Sequence, residues 1–127
     1  MNIAEEIRNF RAEGISAEGA AKLAEAARRA RMWAVVATSA AKSGHPAGAL
    51  SSMDIYMTLL GAANVSPELA DLPERDRIVV SHGHTSAGFY AALAEYGFFD
   101  AKEMAANFRR TGSPYQGHVE RDVPGVD

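Results

Sequence analysis

Apolar residues recur at helical spacing over much of the chain. Between residues 16 and 41, apolar positions such as Ala27, Ala30 and Ala34 follow one another at intervals of three and four residues, which is the period of one helix face. Ser16 is a residue type that caps helices, so the pattern predicts a long helix from Ser16 to about residue 41. Its C-terminal third is apolar nearly all round, which predicts that this end is buried.

Weaker versions of the same pattern predict four further helices. They are a short amphipathic helix over residues 3–12, a helix capped by Ser51 or Ser52 and ending near residue 60, a helix from about residue 86 to 96, and a short helix capped by Asp100 and ending near residue 109. Glycines and prolines interrupt the chain between these helices. The segments 42–48, 64–75 and 111–127 are therefore predicted to be loops.

One segment has the composition of a strand. Residues 77–81, Arg-Ile-Val-Val-Ser, carry a continuous run of branched side chains, which is typical of a parallel strand buried on both faces. The predicted fold class is therefore α/β, mostly helical with one clear parallel strand. A single buried strand leaves backbone groups unpaired at a high cost in free energy. We therefore expect another chain, or a longer sequence, to supply the remaining strands.

Composition excludes several classes of protein. The 127 residues suit one domain and carry a net charge of −3. The basic run 28–31 is typical of a solvated helix face. Nucleic acid is therefore not an expected partner. The chain has no cysteine, which excludes disulfides and thiolate zinc sites. Neither a signal peptide nor an apolar stretch of about 20 residues is apparent. A cytoplasmic protein without a membrane partner is predicted.

The candidate chemistry lies in three short segments that contain glycine and hold all four histidines: 43–46, 81–84 and 116–118. Glycine beside histidine permits tight turns and a close approach of the backbone to a ligand. The three segments together predict one site assembled from three loops, although any one of these histidines alone could be a loop residue without a task.

The middle segment follows the predicted strand and precedes a predicted helix. Ligands of open α/β sheets bind at the carboxyl ends of the strands, and a helix N-terminus offers N–H groups to a phosphate. Gly83, His84 and Thr85 are therefore a candidate diphosphate corner. A second interpretation makes His82 and His84 a metal-binding pair, but such sites need further histidine or carboxylate ligands, and Ser86 and Ala87 stand where a hydrolase pattern would require them.

The three segments, in their order and spacing, resemble the N-terminal, thiamine-diphosphate-binding segment of the transketolase family. The resemblance spans roughly residues 27–127 and includes Asp-Arg before the strand and Pro-Gly-Val at 124–126. The sequence also resembles the start of the N-terminal subunit of split transketolases. The resemblance implies a partial Rossmann-like, thiamine-diphosphate-binding domain over 27–127, preceded by a helical extension over 1–26.

The resemblance also implies roles for individual residues. His84, with Gly83 and Ser81, is implied to bind the diphosphate of the cofactor. His45 and His118 are implied to be catalytic and substrate-binding, contacting sugar hydroxyls and moving protons near the reactive carbon of the cofactor. His82 departs from the family, which often has asparagine at this position, and it is expected to end the strand rather than line the site.

The implied activity is the transfer of a two-carbon ketol unit from a ketose phosphate to an aldose phosphate. The cofactors would be thiamine diphosphate and Mg²⁺, but the Gly-Asp-Gly metal motif and the activating glutamate of the family are absent from this sequence. No metal ligand is therefore assigned here. The expected partner is the remaining transketolase sequence, within a homo- or hetero-oligomer. The alternative is a non-catalytic remnant, or a partner-binding chain, derived from the same fold.

Overall fold

The structure, a computed structural model, describes residues 15–127, which form helices joined by loops. The elements are α1 (Ala17–Ala41), α2 (Pro46–Ser51), α3 (Met53–Ala62), a 3-10 turn (Pro67–Leu69), a second 3-10 turn (Gly83–Thr85), α4 (Ser86–Glu95) and α5 (Ala101–Asn107). The helix predicted over residues 3–12 lies outside the described residues.

The long helix is confirmed at both ends. The Ser16 side chain accepts a hydrogen bond of 3.0 Å from the Gly19 N–H, as expected of an N-cap residue. At the other end Lys42 adopts a left-handed conformation with φ 52°, and its N–H donates to the Ser39 carbonyl. Asp100 is confirmed as the cap of α5, because its carboxylate accepts a 2.8 Å hydrogen bond from the Glu103 N–H.

The predicted burial of the C-terminal end of α1 is only partly correct. Its alanine face, with Ala30 and Ala34, is fully buried against α4 and α5. The opposite face remains in solvent, because Met32, Val35 and Val36 are 41–45% exposed. Although α1 has 25 residues, neither it nor another helix within residues 15–127 is long and apolar enough to cross a membrane.

Helix α4 lies at the centre of the structure. Its first eight residues are all buried, and it packs against α1, α2, α3 and α5. At Gly88 the backbone of α4 touches that of α2, since an added Cβ would lie 2.8 Å from the carbonyl oxygen of Ala49. Only glycine allows this approach. The contact places the start of α2 beside the start of α4.

The loop predicted over residues 42–48 ends early. Helix α2 begins at Pro46, because proline is favoured in the first turn of a helix, where its missing N–H has no partner to lose. Ser52, one of the two predicted cap residues, joins α2 to α3, but its side chain makes no capping hydrogen bond.

The predicted parallel strand is wrong. Within residues 15–127 the structure contains no strand, and Val79 is 74% exposed rather than buried. In this part of the chain the only hydrogen bond made by a backbone group of residues 77–81 comes from the Ile78 N–H. The physical reason is that a β-ladder requires a second strand, and the described residues do not supply one.

A buried ion pair holds the start of segment 77–81 in place. The Asp127 carboxylate accepts hydrogen bonds from the Arg75 guanidinium at 2.6 and 2.9 Å, from Arg77 at 3.1 Å and from the Ile78 N–H at 2.8 Å. Burial opposes ionisation of Asp127, but these hydrogen bonds outweigh it and lower its pKa to about 2. The pair therefore ties the last residues of the sequence to the segment that leads to the middle histidine loop.

We expect Asp127→Asn to lower the free energy of unfolding by about 2 kcal/mol at pH 7, because a pKa lowered from 3.8 to about 2 on folding corresponds to a stabilisation of that size. A carboxylate with a lowered pKa stabilises the fold fully above its unfolded pKa and loses this effect as the pH falls through its folded pKa. The difference between variant and parent should therefore shrink from about pH 4 towards pH 2.

Denaturant unfolding of the protein that carries this chain, repeated across this pH range, measures the effect. Asp122→Asn is the matched control, because Asp122 is exposed and forms no ion pair in the described part of the chain. Equal effects of the two variants at pH 7 would contradict the prediction.

Candidate active site

The three histidine segments meet at one end of α4. The ring centroids of His45 and His84 lie 4.7 Å apart, and those of His84 and His118 lie 4.3 Å apart, both with the rings nearly perpendicular. The Nε2 atoms of His84 and His118 are separated by 3.2 Å, so one ring donates to the other. His84 is therefore the central member of the group and touches both of the others.

These three histidines line a polar cavity of about 380 Å³. The side chains at its mouth are exposed to solvent, so a ligand has direct access to the rings. The cavity is lined by His45, His84, Arg109, Gln116, Gly117, His118 and Glu120.

The electrostatic environment disfavours the charged form of His84. Repulsion from His118 is the main cause, followed by partial desolvation and repulsion from His45 and Arg109, and together they lower the pKa of His84 below its usual 6.5. The uncharged form of His84 is therefore favoured relative to that of an isolated imidazole. A neutral imidazole donates through one nitrogen and accepts through the other, which agrees with its contact to His118.

Helix α4 positions the loop that carries His118. The Ser86 hydroxyl donates to the Gly117 carbonyl at 2.9 Å, and the Tyr90 hydroxyl donates to the His118 carbonyl at 2.8 Å. The same Tyr90 oxygen accepts a 2.9 Å hydrogen bond from the Glu120 N–H. Burial raises the pKa of Tyr90 to about 12, so this phenol stays protonated and keeps both hydrogen bonds at any ordinary pH.

The Gly83–Thr85 turn lies directly against this loop. The Val119 N–H donates to the Gly83 carbonyl at 3.1 Å, and an added Cβ at Gly83 would lie 3.4 Å from Cδ2 of His118. The N–H groups of Gly83 and His84 have no acceptor within residues 15–127. They are free to bind a ligand. Ser81 is exposed, and neither Ser81 nor Gly83 is among the residues lining the cavity.

Gly44 allows the first loop to reach the site. Its φ is +130°, a region that side chains rarely adopt, and an added Cβ would lie 2.8 Å from Cγ2 of Thr38 and 3.2 Å from Cε1 of Phe108. The loop therefore passes tightly between the ends of α1 and α5. This path brings His45 to the edge of the His84 ring.

His82 has different neighbours from the other three histidines. Its Nε2 lies 2.7 Å from the Tyr56 hydroxyl and 3.3 Å from the Ser52 hydroxyl, and its ring stacks on Tyr56. His82 and His84 thus contact separate groups, which removes the support for a metal-binding pair. Among residues 15–127, no group of three or more histidine, cysteine, aspartate or glutamate side chains is arranged to hold a metal ion.

Several residues at the site were not found from the sequence. Arg109 lines the cavity in a left-handed conformation with φ 58°, held by a 2.7 Å hydrogen bond from its N–H to the Tyr115 carbonyl. In the sequence it is one of two adjacent arginines with nothing to distinguish them. Ser86 and Tyr90 could have been found only by knowing that α4 faces the third loop.

Comparison with known proteins identifies the family. A family profile described as transketolase, thiamine diphosphate binding domain, matches residues 22–127. The chain belongs to this transketolase family. Its membership agrees with the resemblance seen in the three histidine segments and with a mostly helical portion of a transketolase-like fold.

Individual transketolases match the same region. The transketolases of Kluyveromyces lactis and Homo sapiens are each 35% identical to this chain over 97 residues, which is 76% of it. The solved structure of transketolase from Leishmania mexicana superposes with a TM-score of 0.72 at 33% identity over 82% of the chain. The chain spans only 14–16% of the length of these proteins.

We expect Tyr90→Phe to destabilise the protein by about 1–2 kcal/mol, because the His118 carbonyl and the Glu120 N–H both lose their partner while the aromatic packing is retained. Unfolding measurements give the free energy, and amide hydrogen exchange of Glu120 reports the loop directly. Exchange at Glu120 should become faster.

Tyr115→Phe is the matched control. Tyr115 is also buried and packs on Tyr90 with ring centroids 5.8 Å apart, but its hydroxyl makes no hydrogen bond within the described part of the chain. The control should leave Glu120 exchange unchanged. Equal responses in the two variants would mean that Tyr90 does not anchor the loop.

Proposed function

We propose that this chain supplies part of the thiamine diphosphate site of a transketolase-type enzyme, which transfers a two-carbon ketol unit from a ketose phosphate to an aldose phosphate. The observation that carries the proposal is the meeting of His45, His84 and His118 in one open cavity, in a chain of the thiamine-diphosphate-binding family. The proposed domain division is a helical extension over 1–26 followed by a partial cofactor-binding domain over 27–127.

The groups at the cavity fit an anionic cofactor. Arg109 is exposed in the cavity and forms no ion pair within residues 15–127, so its charge is available to a phosphate. The free N–H groups of Gly83 and His84 lie at the start of α4, where the helix dipole favours negative charge. Glu120 is the one acidic side chain among the cavity residues, and an anionic ligand is expected to avoid it.

In this proposal His84, with Gly83 and Ser81, holds the diphosphate. Because its pKa is lowered, His84 contributes a hydrogen bond more readily than a positive charge. Most of the charge compensation must then come from Arg109 and from Mg²⁺, whose ligands we place in sequence outside this chain. The chemistry that bound thiamine diphosphate supplies is a carbon nucleophile for the ketose carbonyl.

His45 and His118 are proposed to act on the sugar. Both rings are exposed at the cavity, and imidazole can donate or accept a proton near neutral pH. They would bind the substrate hydroxyls and carry protons to and from the substrate oxygens. Their common contact with His84 sets their positions relative to the diphosphate.

The remaining transketolase sequence is the proposed partner, in an oligomeric assembly. Two surfaces support it: the exposed apolar face of α1, with Met32, Val35 and Val36, and the segment 77–81, whose backbone groups other than the Ile78 N–H lack hydrogen bonds within the described residues. Further sequence that packs on these two surfaces would shield both of them from water. The cytoplasmic location stays a prediction.

We expect His45→Ala and His118→Ala to lower turnover by roughly 10²–10⁴-fold with little change in cofactor affinity, because loss of one positioned acid–base group has an effect of this size. His84→Ala should instead weaken thiamine diphosphate binding. Steady-state kinetics of the complete enzyme over a range of cofactor concentrations separates the two effects. Asp122→Asn, outside the cavity, serves as the control, and small, equal effects of all three histidine variants would refute the assignment.

The partner proposal predicts amide protection at Val79 and Val80. In the protein that carries this chain together with its complementary sequence, these amides should exchange slowly, because the added sequence would accept their hydrogen bonds or exclude water from them. Residues 15–127 alone offer them no acceptor. Rapid exchange in the complete assembly, with protection in α4 as the internal reference, would show that segment 77–81 remains unpaired.

A further inference from the structure

A small network of side chains spans the turn that carries His84. The Tyr56 hydroxyl, from α3, lies 2.7 Å from His82 Nε2 and makes a short hydrogen bond with the Thr85 hydroxyl. The Thr85 hydroxyl in turn donates to the carbonyl oxygen of His82 at 2.8 Å. These contacts enclose Gly83 and His84 between two fixed residues.

The number of hydrogens fixes the direction of each bond. A hydroxyl group carries one hydrogen, and that of Thr85 is used on the His82 carbonyl. The contact between Tyr56 and Thr85 must therefore use the hydrogen of Tyr56. Burial raises the pKa of Tyr56, so this hydrogen is present at neutral pH. The Tyr56 oxygen is then an acceptor, so His82 Nε2 carries the hydrogen of the 2.7 Å contact, and the Ser52 hydroxyl makes a second, longer contact with Nε2 at 3.3 Å.

We propose that His82, Tyr56 and Thr85 form a closed hydrogen-bond ring that positions the Gly83–His84 turn for the cofactor. In this ring the Nε2 atom of His82 carries a proton. The proposal rests on the proposed function only for the identity of the ligand. Both the neutral Nε2–H tautomer and the imidazolium donate from this nitrogen. The ring is therefore compatible with either of these forms and needs no charge on His82.

Thr85 also connects this ring to the loop of His45. An added Cβ at Gly48, in α2, would lie 3.0 Å from the Thr85 methyl group, so the methyl packs closely against that helix. The hydroxyl of Thr85 thus makes the hydrogen bonds of the ring, while its methyl group packs against α2. These two tasks can be separated by substitution, because valine keeps the methyl group and serine keeps the hydroxyl.

The first measurement is the tautomer of His82 in the protein that carries this chain, labelled with ¹⁵N-histidine and free of cofactor. His82→Asn assigns the resonance. In alkaline solution, where imidazole is uncharged, we expect the Nε2–H tautomer alone in the parent, and we expect Thr85→Val and Tyr56→Phe to give a mixture of tautomers. Thr85→Ser should keep the parent signature. An Nδ1–H tautomer in the parent, or an unchanged signature in Thr85→Val, would overturn the ring.

The second measurement is thiamine diphosphate affinity by titration calorimetry of the same variants with Mg²⁺. Thr85→Val and Tyr56→Phe should weaken binding by about tenfold, the effect of losing one hydrogen bond of ordinary strength, while Thr85→Ser stays within about twofold of the parent. Unchanged affinity in Thr85→Val would refute the positioning role. A parent that binds no thiamine diphosphate would instead refute the proposed function, and the tautomer would still decide whether the ring exists.

Discussion

The backbone contact between α4 and α2 at Gly88 is the constraint on which the rest of the site depends. Because Gly88 has no side chain, α4 lies against Ala49, and the starts of the two helices come together. His45 directly precedes α2 and His84 lies in the turn before α4. Their ring contact is therefore a consequence of helix packing, and two exposed histidines are brought together without help from a sheet.

The third loop depends on the same helix by another means. Residues 116–120 have no regular secondary structure, so their position comes from hydrogen bonds to Ser86 and Tyr90, one turn apart on α4. Since Tyr90 is buried and stays protonated, these bonds do not vary with pH in the physiological range. The loop of His118 is thus held by groups whose protonation does not change in this range.

The sequence allowed prediction of those features that depend on neighbouring residues. Ser16 and Asp100 cap helices because their side chains reach N–H groups three residues ahead, and glycine beside histidine indicated three ligand-facing loops. The strand at 77–81 was wrong because branched residues indicate only a preference, whereas a strand requires a partner far along the chain. Arg109 and Tyr90 were missed for the same reason, since their importance depends on contacts between distant segments.

The charge distribution of the cavity limits how much of an anionic cofactor's charge its residues could neutralise. Repulsion from His118, together with smaller contributions from burial, His45 and Arg109, lowers the pKa of His84 and so disfavours a positive charge on it. Arg109 adds one permanent charge, which Glu120 opposes. A diphosphate carries more negative charge than this balance can neutralise, and a divalent cation is the usual remedy. The three adjacent histidines are thus better suited to hydrogen bonding than to neutralising the charge of a ligand.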